Sequence, residues 1–468
     1  MSKLETGLHY PLKLDVLPEA WRIGHVGDFA DEIQPGFASG KHNKEGAGIP
    51  HIRPYNIDRH GKLDLTEIKS VAPESDAKRL RTGDVLFNNT NSPELIGKTT
   101  VIVSAEDWGF SNHMTRIRFK DDVAPKFAAY QLHFLWMTGY YLHNCVKHVN
   151  QASISSKTLA NAVPFIAPPI DQQKRIVAEI EKQFSRLDEA VANLKRVKAN
   201  LKRYKAAVLK AAVEGRLVET EAERARREGR SYETGAQLLQ RILETRRSQW
   251  QGKGKYKEPA APDTTGLPEL PEGWAWASAD ELMSLITDGE HITPRRSESG
   301  VLLLSARNVL NGQIDLSVVD YVPEEEHLRL SQRLSIMAGD VLLSCSGSVG
   351  RSCVVPKGAK FSLVRSVAVL RPVEIPADFV CNQIQSPLLQ SQIATRKTQT
   401  AQANIFQGKI RQLVFALPPL AEQNRIVAEV DRRLSLLRET EAQVDVNLQR
   451  ADRLRQSILS TALSGGLG

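Results

Sequence analysis

Two short loops carry the side chains best suited to chemistry with another molecule. One runs from Asn88 to Ser92 and the other from Ser344 to Ser348, and each is rich in asparagine or serine. A glycine and a cation follow each loop, Gly97-Lys98 and Gly350-Arg351. Short amide and hydroxyl side chains can read base edges or grip phosphates. An ordinary polar turn has the same composition. Because the loops recur at matching places, however, we give the ordinary turn and the nucleic-acid contact equal weight.

No catalytic constellation accompanies these loops. The double prolines in 167–170 and 417–420 lack the neighbouring Asp or Asn with which an amino-methyltransferase grips an exocyclic amine, so we interpret them as helix N-terminal prolines. The sequence has neither a G-x-x-x-x-G-K-[ST] phosphate loop nor a Gly-rich turn at dinucleotide spacing. We therefore expect no nucleotide or methyl-donor site in this chain, which argues against a self-contained DNA-modifying enzyme.

Metal chemistry has equally weak support. Glu67-Ile68-Lys69 matches the E-x-K tail of a metal-dependent nuclease motif. No Pro-Asp precedes it and the second half lacks it, so we interpret it as a surface strand. His143 and His148 have no acidic ligand nearby and are interpreted as structural or DNA-facing. The four cysteines form no C-x-x-C pair, so we expect neither zinc nor disulfides, and a reducing compartment.

An internal repeat organises the chain. Leu17–Trp21 is echoed by Leu270–Trp274 at an offset of 253. From the double prolines onward the offset is 250, and residues 168–217 match 418–467 at 17 of 50 positions without a gap. The other repeated elements are Arg53–Ile57 with Ala306–Val309, Gly83–Leu86 with Gly339–Leu342, and Gln151–Ile154 with Gln402–Ile405.

Each half combines a strand-rich region with a long helix. Short apolar runs such as 100–103 and 367–370, separated by Gly, Asn, Ser and Pro, predict strands. After each double proline, apolar residues recur every three or four positions, which predicts a helix of about 44 residues with a coiled-coil seam, ending at Gly215 or Gly465. Such a helix needs a partner, and its own repeat, packed antiparallel, is the simplest one. The predicted fold class is α+β with an internal two-fold repeat.

This pattern divides the chain into five parts. A first strand-rich domain covers 11–169, and a first long helix covers 170–217. A helical connector and basic linker occupy 218–269, where the apolar face of Leu238, Leu239, Ile242 and Leu243 predicts one or two helices. A second strand-rich domain covers 270–419, and a second long helix covers 420–464.

Composition limits the class of protein. Hydrophobic residues make up 41% and charged residues 25%, which excludes a disordered chain. The formal charge of +8 favours an anionic partner such as nucleic acid. Much of the excess lies in 171–217, with 12 basic and 6 acidic side chains, so the basic stretch from Lys195 to Arg216 faces either DNA or an acidic partner. The most apolar stretch, 127–142, is too short to span a membrane, and we expect a cytoplasmic protein.

These motifs together resemble those of the DNA specificity subunits of type I restriction-modification systems. The resemblance covers essentially the whole chain. It is carried by the Leu-Pro-Glu-x-Trp starts, the Gly-Asp-Val-Leu elements, the Gln-Ala-[Ser/Asn]-Ile loops, and the shared Pro-Pro-x-x-x-Gln-x-Arg-Ile-Val-Ala-Glu opening of both helices. The central linker from Gly252 to Trp274 is also similar to that family's central region.

The resemblance implies a non-catalytic subunit whose two target recognition domains read an asymmetric bipartite sequence in double-stranded DNA. It implies two methyltransferase (modification) subunits and restriction/translocase subunits as partners. S-adenosylmethionine, ATP and Mg would belong to those partners, with no cofactor in this chain. Carried over by position, the expected DNA contacts are Arg53, Asn56, Asn88, Asn89, Asn91, Ser92, Lys98, Gln151, Ser153, Arg307, Asn308, Ser344, Ser346, Ser348, Arg351, Gln402 and Asn404.

A coiled-coil scaffold or adaptor that binds no nucleic acid is the alternative. Charge runs and heptads alone would suit it. The duplicated loops separate the two hypotheses, because a pure scaffold has no use for them.

Overall fold

The chain forms two compact units in the computed structural model, which describes residues 6–39, 41–73, 78–104, 107–149, 151–252, 254–398 and 403–466. The first unit comprises residues 1–196 with 444–468, and the second comprises residues 197–443. Each unit therefore contains one strand-rich region and part of each long helix. Within the described ranges, no helix combines the length and the apolarity needed to cross a membrane.

The first unit is built around a four-stranded sheet in the order β2-β10-β6-β8. Its described strands are Arg22–His25 (β1), Ala30–Pro35 (β2), His42–Asn43 (β3), Ile49–Ile52 (β4), Lys69–Val71 (β5), Val85–Asn88 (β6), Thr90–Asn91 (β7), Thr99–Val101 (β8), Gly109–Phe110 (β9), Met114–Phe119 (β10), Val146–Lys147 (β11), Ala152–Ser153 (β12) and Pro164–Ala167 (β13). Its helices are Val26–Phe29 (α1), Pro125–Met137 (α2), Tyr140–Asn144 (α3), Ser156–Ala162 (α4) and the start of Ile170–Val213 (α5).

A second sheet, β3-β5-β4-β9, and a small sheet, β11-β12-β7, complete the first unit's recognition region. The buried run Val85–Phe87 of β6 lies at the centre of the core, where Ile117 of β10 and Leu132 of α2 pack in the same cluster as Val85. The predicted apolar stretch 127–142 is helical but broken, because Gly139 takes a left-handed φ of 80° between α2 and α3.

The second unit repeats the main sheet in the same order, β15-β23-β20-β21. Its described helices are the end of α5, Glu221–Glu228 (α6), Gly235–Ser248 (α7), Ala279–Leu282 (α8), Glu324–Arg333 (α9), Ala377–Gln385 (α10), Pro387–Arg396 (α11), Gln407–Arg411 (α12) and the start of Leu420–Leu463 (α13). Its strands are Ala275–Ser278 (β14), Met283–Asp288 (β15), Val301–Leu304 (β16), Val309–Leu310 (β17), Gln313–Ile314 (β18), Asp320–Val322 (β19), Val341–Ser344 (β20), Ser352–Val354 (β21), Phe361–Leu363 (β22), Val367–Pro372 (β23) and Val414–Leu417 (β24).

The connector between the halves folds as two helices. Thr220 and Thr234 cap α6 and α7 with their side chains, each in a capping box with the residue three positions later. Leu238 and Ile242 of α7 are fully buried in the core of the second unit. The connector is therefore an integral part of that unit.

Antiparallel helix packing is visible inside each unit. In the first, Ile180 and Phe184 of α5 share a buried cluster with Leu459 and Leu463 of α13, so early residues of one helix meet late residues of the other. In the second, Val208 and Leu209 of α5 pack with Ile426 and Val430 of α13, which reverses the order. The predicted α+β class, with its repeat and two antiparallel long helices, is confirmed.

The helix ends follow local rules. Both helices begin directly after a double proline and run for 44 residues. Gly215 and Gly465 take left-handed φ angles of 66° and 85° just beyond them. A side chain at Gly215 would collide with Pro271, so glycine is required there for contact as well as conformation.

The repeated Trp of each half anchors the start of the helix that follows it. Trp21 Nε1 donates to Gln172 Oε1 at 3.1 Å, and Trp274 Nε1 donates to Glu422 Oε1 at 3.2 Å. Glu422 is fully buried, and its second oxygen accepts from the backbone N–H of Glu221 at the first turn of α6. Burial raises the pKa of Glu422 to about 6. Both halves thus fix the start of the long helix through a Trp side chain, but the acceptor is Gln172 in the first half and Glu422 in the second.

Candidate nucleic-acid interface

In the first unit, Asn88 closes the predicted loop from within. Its backbone N–H donates to Lys98 O at 2.9 Å, and Gly97 N–H donates back to Asn88 O at 2.9 Å. The Asn88 side chain is fully buried, and its amide donates to Leu95 O at 2.9 Å. Its amide donor is thus committed to the shape of the loop.

Asn89 and Lys98 also point inward. The Asn89 amide donates to Thr115 Oγ1 at 2.9 Å, and its oxygen accepts from Thr90 Oγ1 at 2.8 Å. The Lys98 ammonium is buried and donates to the carbonyl of Ile57. Burial lowers the pKa of Lys98. These side chains attach the loop to the domain and expose little surface to a ligand.

The structure brings the two predicted segments of this half together. β7 pairs with β12, so that Asn91 lies opposite Ala152 and Thr90 opposite Ser153. Asn91 and Ser92 are half-buried, whereas Gln151 is exposed. We call residues 88–98 together with 151–153 the first loop element. Among the predicted contacts in this element, Asn91, Ser92, Gln151 and Ser153 remain accessible, and Glu94 beside them is exposed.

His148 belongs to the same small sheet. Its backbone N–H donates to Gln151 O at 2.7 Å, and its Nε2 lies 3.1 Å from Ser153 Oγ. The exposed His148 ring therefore stands beside the first loop element. His143 instead contacts His9, with ring centroids 4.2 Å apart and the ring planes tilted by 45°.

Asn56 and Asn308 fill equivalent structural positions. Asn56 is buried, accepts from Arg53 N–H at 3.0 Å and donates to the carbonyls of Asp64 and Glu67. Asn308 accepts from Ser305 N–H at 2.9 Å and donates to the carbonyls of Asp315 and Val318. Each side chain fastens a 3₁₀ turn to the segment that follows it.

A cationic cluster around Arg53 was not predicted in full from the sequence. Lys69 Nζ lies 3.5 Å from His42 Nε2, and Arg53 lowers the pKa of the exposed His42 more than any other neighbour does. Among the described residues, neither Arg53 nor Lys69 forms an ion pair, and Glu67 pairs with Lys44 at 2.8 Å. We call Arg53 and Lys69 the cationic cluster, which the His42 ring adjoins. Arg53 was among the predicted contacts, whereas Lys69 was predicted to lie on a surface strand, and the sequence did not indicate that the two adjoin.

His51 adjoins this cluster and adds no charge to it. It lies opposite Lys69 in the β4–β5 register and is almost fully buried. Burial, together with the charge of Arg53, lowers the pKa of His51 to about 4. The ring is therefore neutral at pH 7, which avoids a further charge beneath the surface.

In the second unit, Ser344 performs the task of Asn88. Ser344 is buried, its Oγ donates to Ser348 O at 2.6 Å, and Arg351 N–H donates to Ser344 Oγ at 2.9 Å. Ser348 is exposed, and Arg351 is half-buried. The same loop closure is thus achieved with a hydroxyl in place of an amide.

The second loop pairs with the Gln-Ala-Asn-Ile segment as its counterpart does. Ser346 and Asn404 form an antiparallel bridge, and Ile405 N–H donates to Cys345 O at 3.0 Å. Ile154 N–H makes the matching bond to Asn89 O at 2.9 Å. Gln402 lies outside the described residues. We call residues 344–351 with 403–405 the second loop element.

The arginines of the second recognition region differ from those of the first. Arg307 pairs with Asp320 at 2.9 Å, and Arg296 lies 3.6 Å from the same carboxylate. Arg365 is exposed and forms no ion pair within the described ranges. It lines an open cleft of about 580 Å³ together with Ser346, Asn404 and Phe406. Phe406 and Arg365 are candidate contacts that the sequence did not indicate.

A metal centre has no support in the described part of the chain. There, no group of three or more His, Cys, Asp or Glu side chains is arranged to hold an ion. The four cysteines are free, and burial raises the pKa of Cys345 and of Cys353 to about 12. Both therefore carry neutral thiols at pH 7.

Comparison with solved structures identifies the fold. A chain from a structure of the type I R-M system matches with a TM-score of 0.67 and 17% identity, covering 96% of this chain and 99% of that one. The HsdS subunit from Thermoanaerobacter tengcongensis matches with a TM-score of 0.51 and 18% identity, over 96% and 98% of the two chains. The fold is that of type I specificity subunits.

Curated proteins confirm the resemblance inferred from the motifs. The type I restriction enzyme EcoBI specificity subunit of Escherichia coli is 24% identical over 335 residues, which are 69% of this chain and 61% of that protein. The putative MjaX specificity subunit of Methanocaldococcus jannaschii is 30% identical over 36% of this chain and 41% of its own length. The chain thus spans roughly two fifths to three fifths of these relatives. No family model matches.

Proposed function

We propose that this chain is the DNA specificity subunit of a type I restriction-modification complex. The observation that carries the proposal is the duplicated loop element. In both halves, a polar loop closed by a buried side chain lies against the Gln-Ala-x-Ile segment, although the sequences have diverged. Such a frame presents different outward side chains from a common backbone, which is what reading two different DNA half-sites requires.

The two half-sites are expected to differ. The first region offers Asn91, Ser92 and Gln151 beside the cationic cluster. The second offers Ser346, Ser348 and Asn404, with Arg365 close by. Because the outward side chains of the two regions differ, we infer an asymmetric bipartite target of two short blocks flanking a nonspecific spacer.

Buried members of the predicted contact set have a different proposed role. Asn56, Asn88, Asn89, Asn308 and Ser344 would fix the loops, since their polar side chains already bond within the fold. Base reading would fall to exposed neighbours. Lys98 would likewise act inside the domain through its bond to Ile57.

Catalysis would belong to partner subunits. We infer two methyltransferase subunits and restriction/translocase subunits, which would supply S-adenosylmethionine, ATP and Mg chemistry. Helix α5 exposes a row of cations that would form a surface for either DNA or such a partner: Lys195, Lys202, Arg203 and Lys210. We expect the isolated chain to bind DNA weakly, because the two recognition regions are nearly neutral in net charge.

A binding experiment tests this proposal. The chain is co-expressed with its candidate methyltransferase, purified, and titrated with a random duplex library whose bound fraction is sequenced. We expect a stable complex that enriches one bipartite sequence. A chain that purifies in an assembly but enriches no sequence would instead be a scaffold, and the proposal would be wrong.

A further inference from the structure

Phe406 breaks a local folding rule that its counterpart obeys. It follows the Gln-Ala-Asn-Ile segment and occupies the N-cap of α12, where it makes no side-chain cap bond. Ser155 occupies the same position before α4, and its Oγ accepts from Thr158 N–H at 3.0 Å. Serine is a favoured N-cap and phenylalanine is not, because only the hydroxyl can satisfy a free N–H.

The phenyl ring is also left in solvent. Phe406 is 64% exposed, whereas Ile410 of α12 is fully buried. The ring lies at the edge of the cleft in the second unit, together with Ile292, which is 71% exposed. A position that sacrifices both a helix cap and apolar burial is expected to be a functional site.

The surroundings of the ring indicate which ligand it meets. Arg365 is exposed beside the same cleft, while the two nearby carboxylates are occupied within the protein. Asp288 accepts from Gln407 and lies 3.1 Å from His291 Nε2, and Glu290 accepts from the backbone N–H of Ile292 at 3.0 Å. An apolar ring that lines the same cleft as a guanidinium without an ion pair in the described ranges matches the base and phosphate of a nucleic acid.

We propose that Phe406 contacts a base of the half-site read by the second unit, with Arg365 on the adjacent phosphate. The inference deepens the proposed function and rests on it. The ring meets either a thymine methyl or the face of an unstacked base, both of which are apolar. The first unit has Ser155 at this position and would read its half-site without such a contact.

Phe406→Ser tests the proposal without risk of unfolding. The substitution restores the cap found in the first half, so we expect Tm to rise by about 2 to 4 °C. In complex with the methyltransferase, specific affinity should fall about tenfold while affinity for random duplex stays constant. Leu328→Ser, which removes a 58% exposed leucine of α9 that does not line the cleft, is the matched control and should change neither affinity.

The DNA itself distinguishes the two contacts. At one or two base positions within one half-site, a single-base change that weakens binding by the wild-type complex should no longer weaken binding by the Phe406→Ser complex. Replacing thymine with uracil there weakens wild-type binding if the ring meets a methyl, and leaves it unchanged if the ring meets a base face. An unchanged specific affinity of Phe406→Ser would overturn this inference alone. A wild-type complex with no sequence preference would overturn the proposed function as well.

Discussion

The first and second recognition regions share their frame and differ in what they expose. Asn88 and Ser344 close the same loop with different chemistry, and Asn56 and Asn308 fasten the same turn with the same chemistry. Outside this frame, the first region collects the cations Arg53 and Lys69 without ion pairs among the described residues, whereas Arg307 of the second is paired with Asp320. The repeated polar motifs therefore hold the fold, and the unrepeated side chains are the candidates for reading DNA.

The Gly-Asp-Val elements offer the sharpest contrast in stability. Asp84 accepts from Arg118 at 2.8 Å and has a second cation, Arg116, at 4.0 Å. Within the described ranges, Asp340 has Arg371 as its one cation, through bonds of 2.7 and 2.8 Å. Arg371→Met should cost about 3 to 5 kcal/mol in the free energy of unfolding, because it leaves a buried carboxylate without a cation.

Arg118→Met should cost about half as much, since Arg116 remains. Denaturant unfolding of both variants measures the difference. Asp340→Asn combined with Arg371→Met removes the stranded charge and should recover part of the loss. Equal costs for the two single variants would show that the networks are equivalent.

The two buried asparagines should instead be equal. Asn56→Ala and Asn308→Ala each remove a buried side chain that makes three hydrogen bonds to the backbone. We expect each to lose about 2 to 3 kcal/mol of stability in denaturant titrations. If either variant kept its stability but lost DNA binding, that asparagine would be a contact and not part of the frame.

Glu422 and Gln172 differ in their response to pH. The pKa of Glu422 is raised from 4.5 to about 6, so the native state holds the proton more tightly than the unfolded chain does. Stability is therefore highest below pH 4.5 for this group and declines by about 2 kcal/mol as pH rises through 6. Glu422→Gln should remove that decline from the profile of Tm against pH.

Gln172→Glu is the matched variant in the first half. Gln172 is only half-buried, so a carboxylate there should add a smaller dependence on pH than Glu422 shows. If Tm varied with pH in the same way for the wild type and for Glu422→Gln between pH 4.5 and 7, the destabilising effect assigned to the buried charge of Glu422 would be contradicted.

The smallest expected effect concerns phosphate contacts. Lys69→Gln should weaken DNA binding by the complex uniformly across sequences and reduce the slope of log affinity against log salt by about 0.9. Arg307→Gln should change the slope less, because Asp320 already neutralises that guanidinium. Titrations at several salt concentrations measure both, and a larger effect from Arg307→Gln would reverse the proposed assignment of charge.

The sequence predicted the features that local rules decide. The starts of α5 and α13 after Pro169 and Pro419, and their ends before glycine, depend on neighbouring residues alone. The repeat predicted two similar strand-rich regions and the antiparallel pairing of the long helices. Burial of Asn56 and Lys98 could not be predicted, because their partners Glu67 and Ile57 are 11 and 41 residues away. Phe406 could have been found by comparing it with Ser155 at the matching cap.

Sequencing of methylated DNA from cells that express this chain with its methyltransferase tests the central claim most directly. Two recognition regions with a common frame and different exposed side chains predict one modified motif made of two short, different blocks at a fixed separation. A single continuous motif, or two identical inverted blocks, would contradict that account.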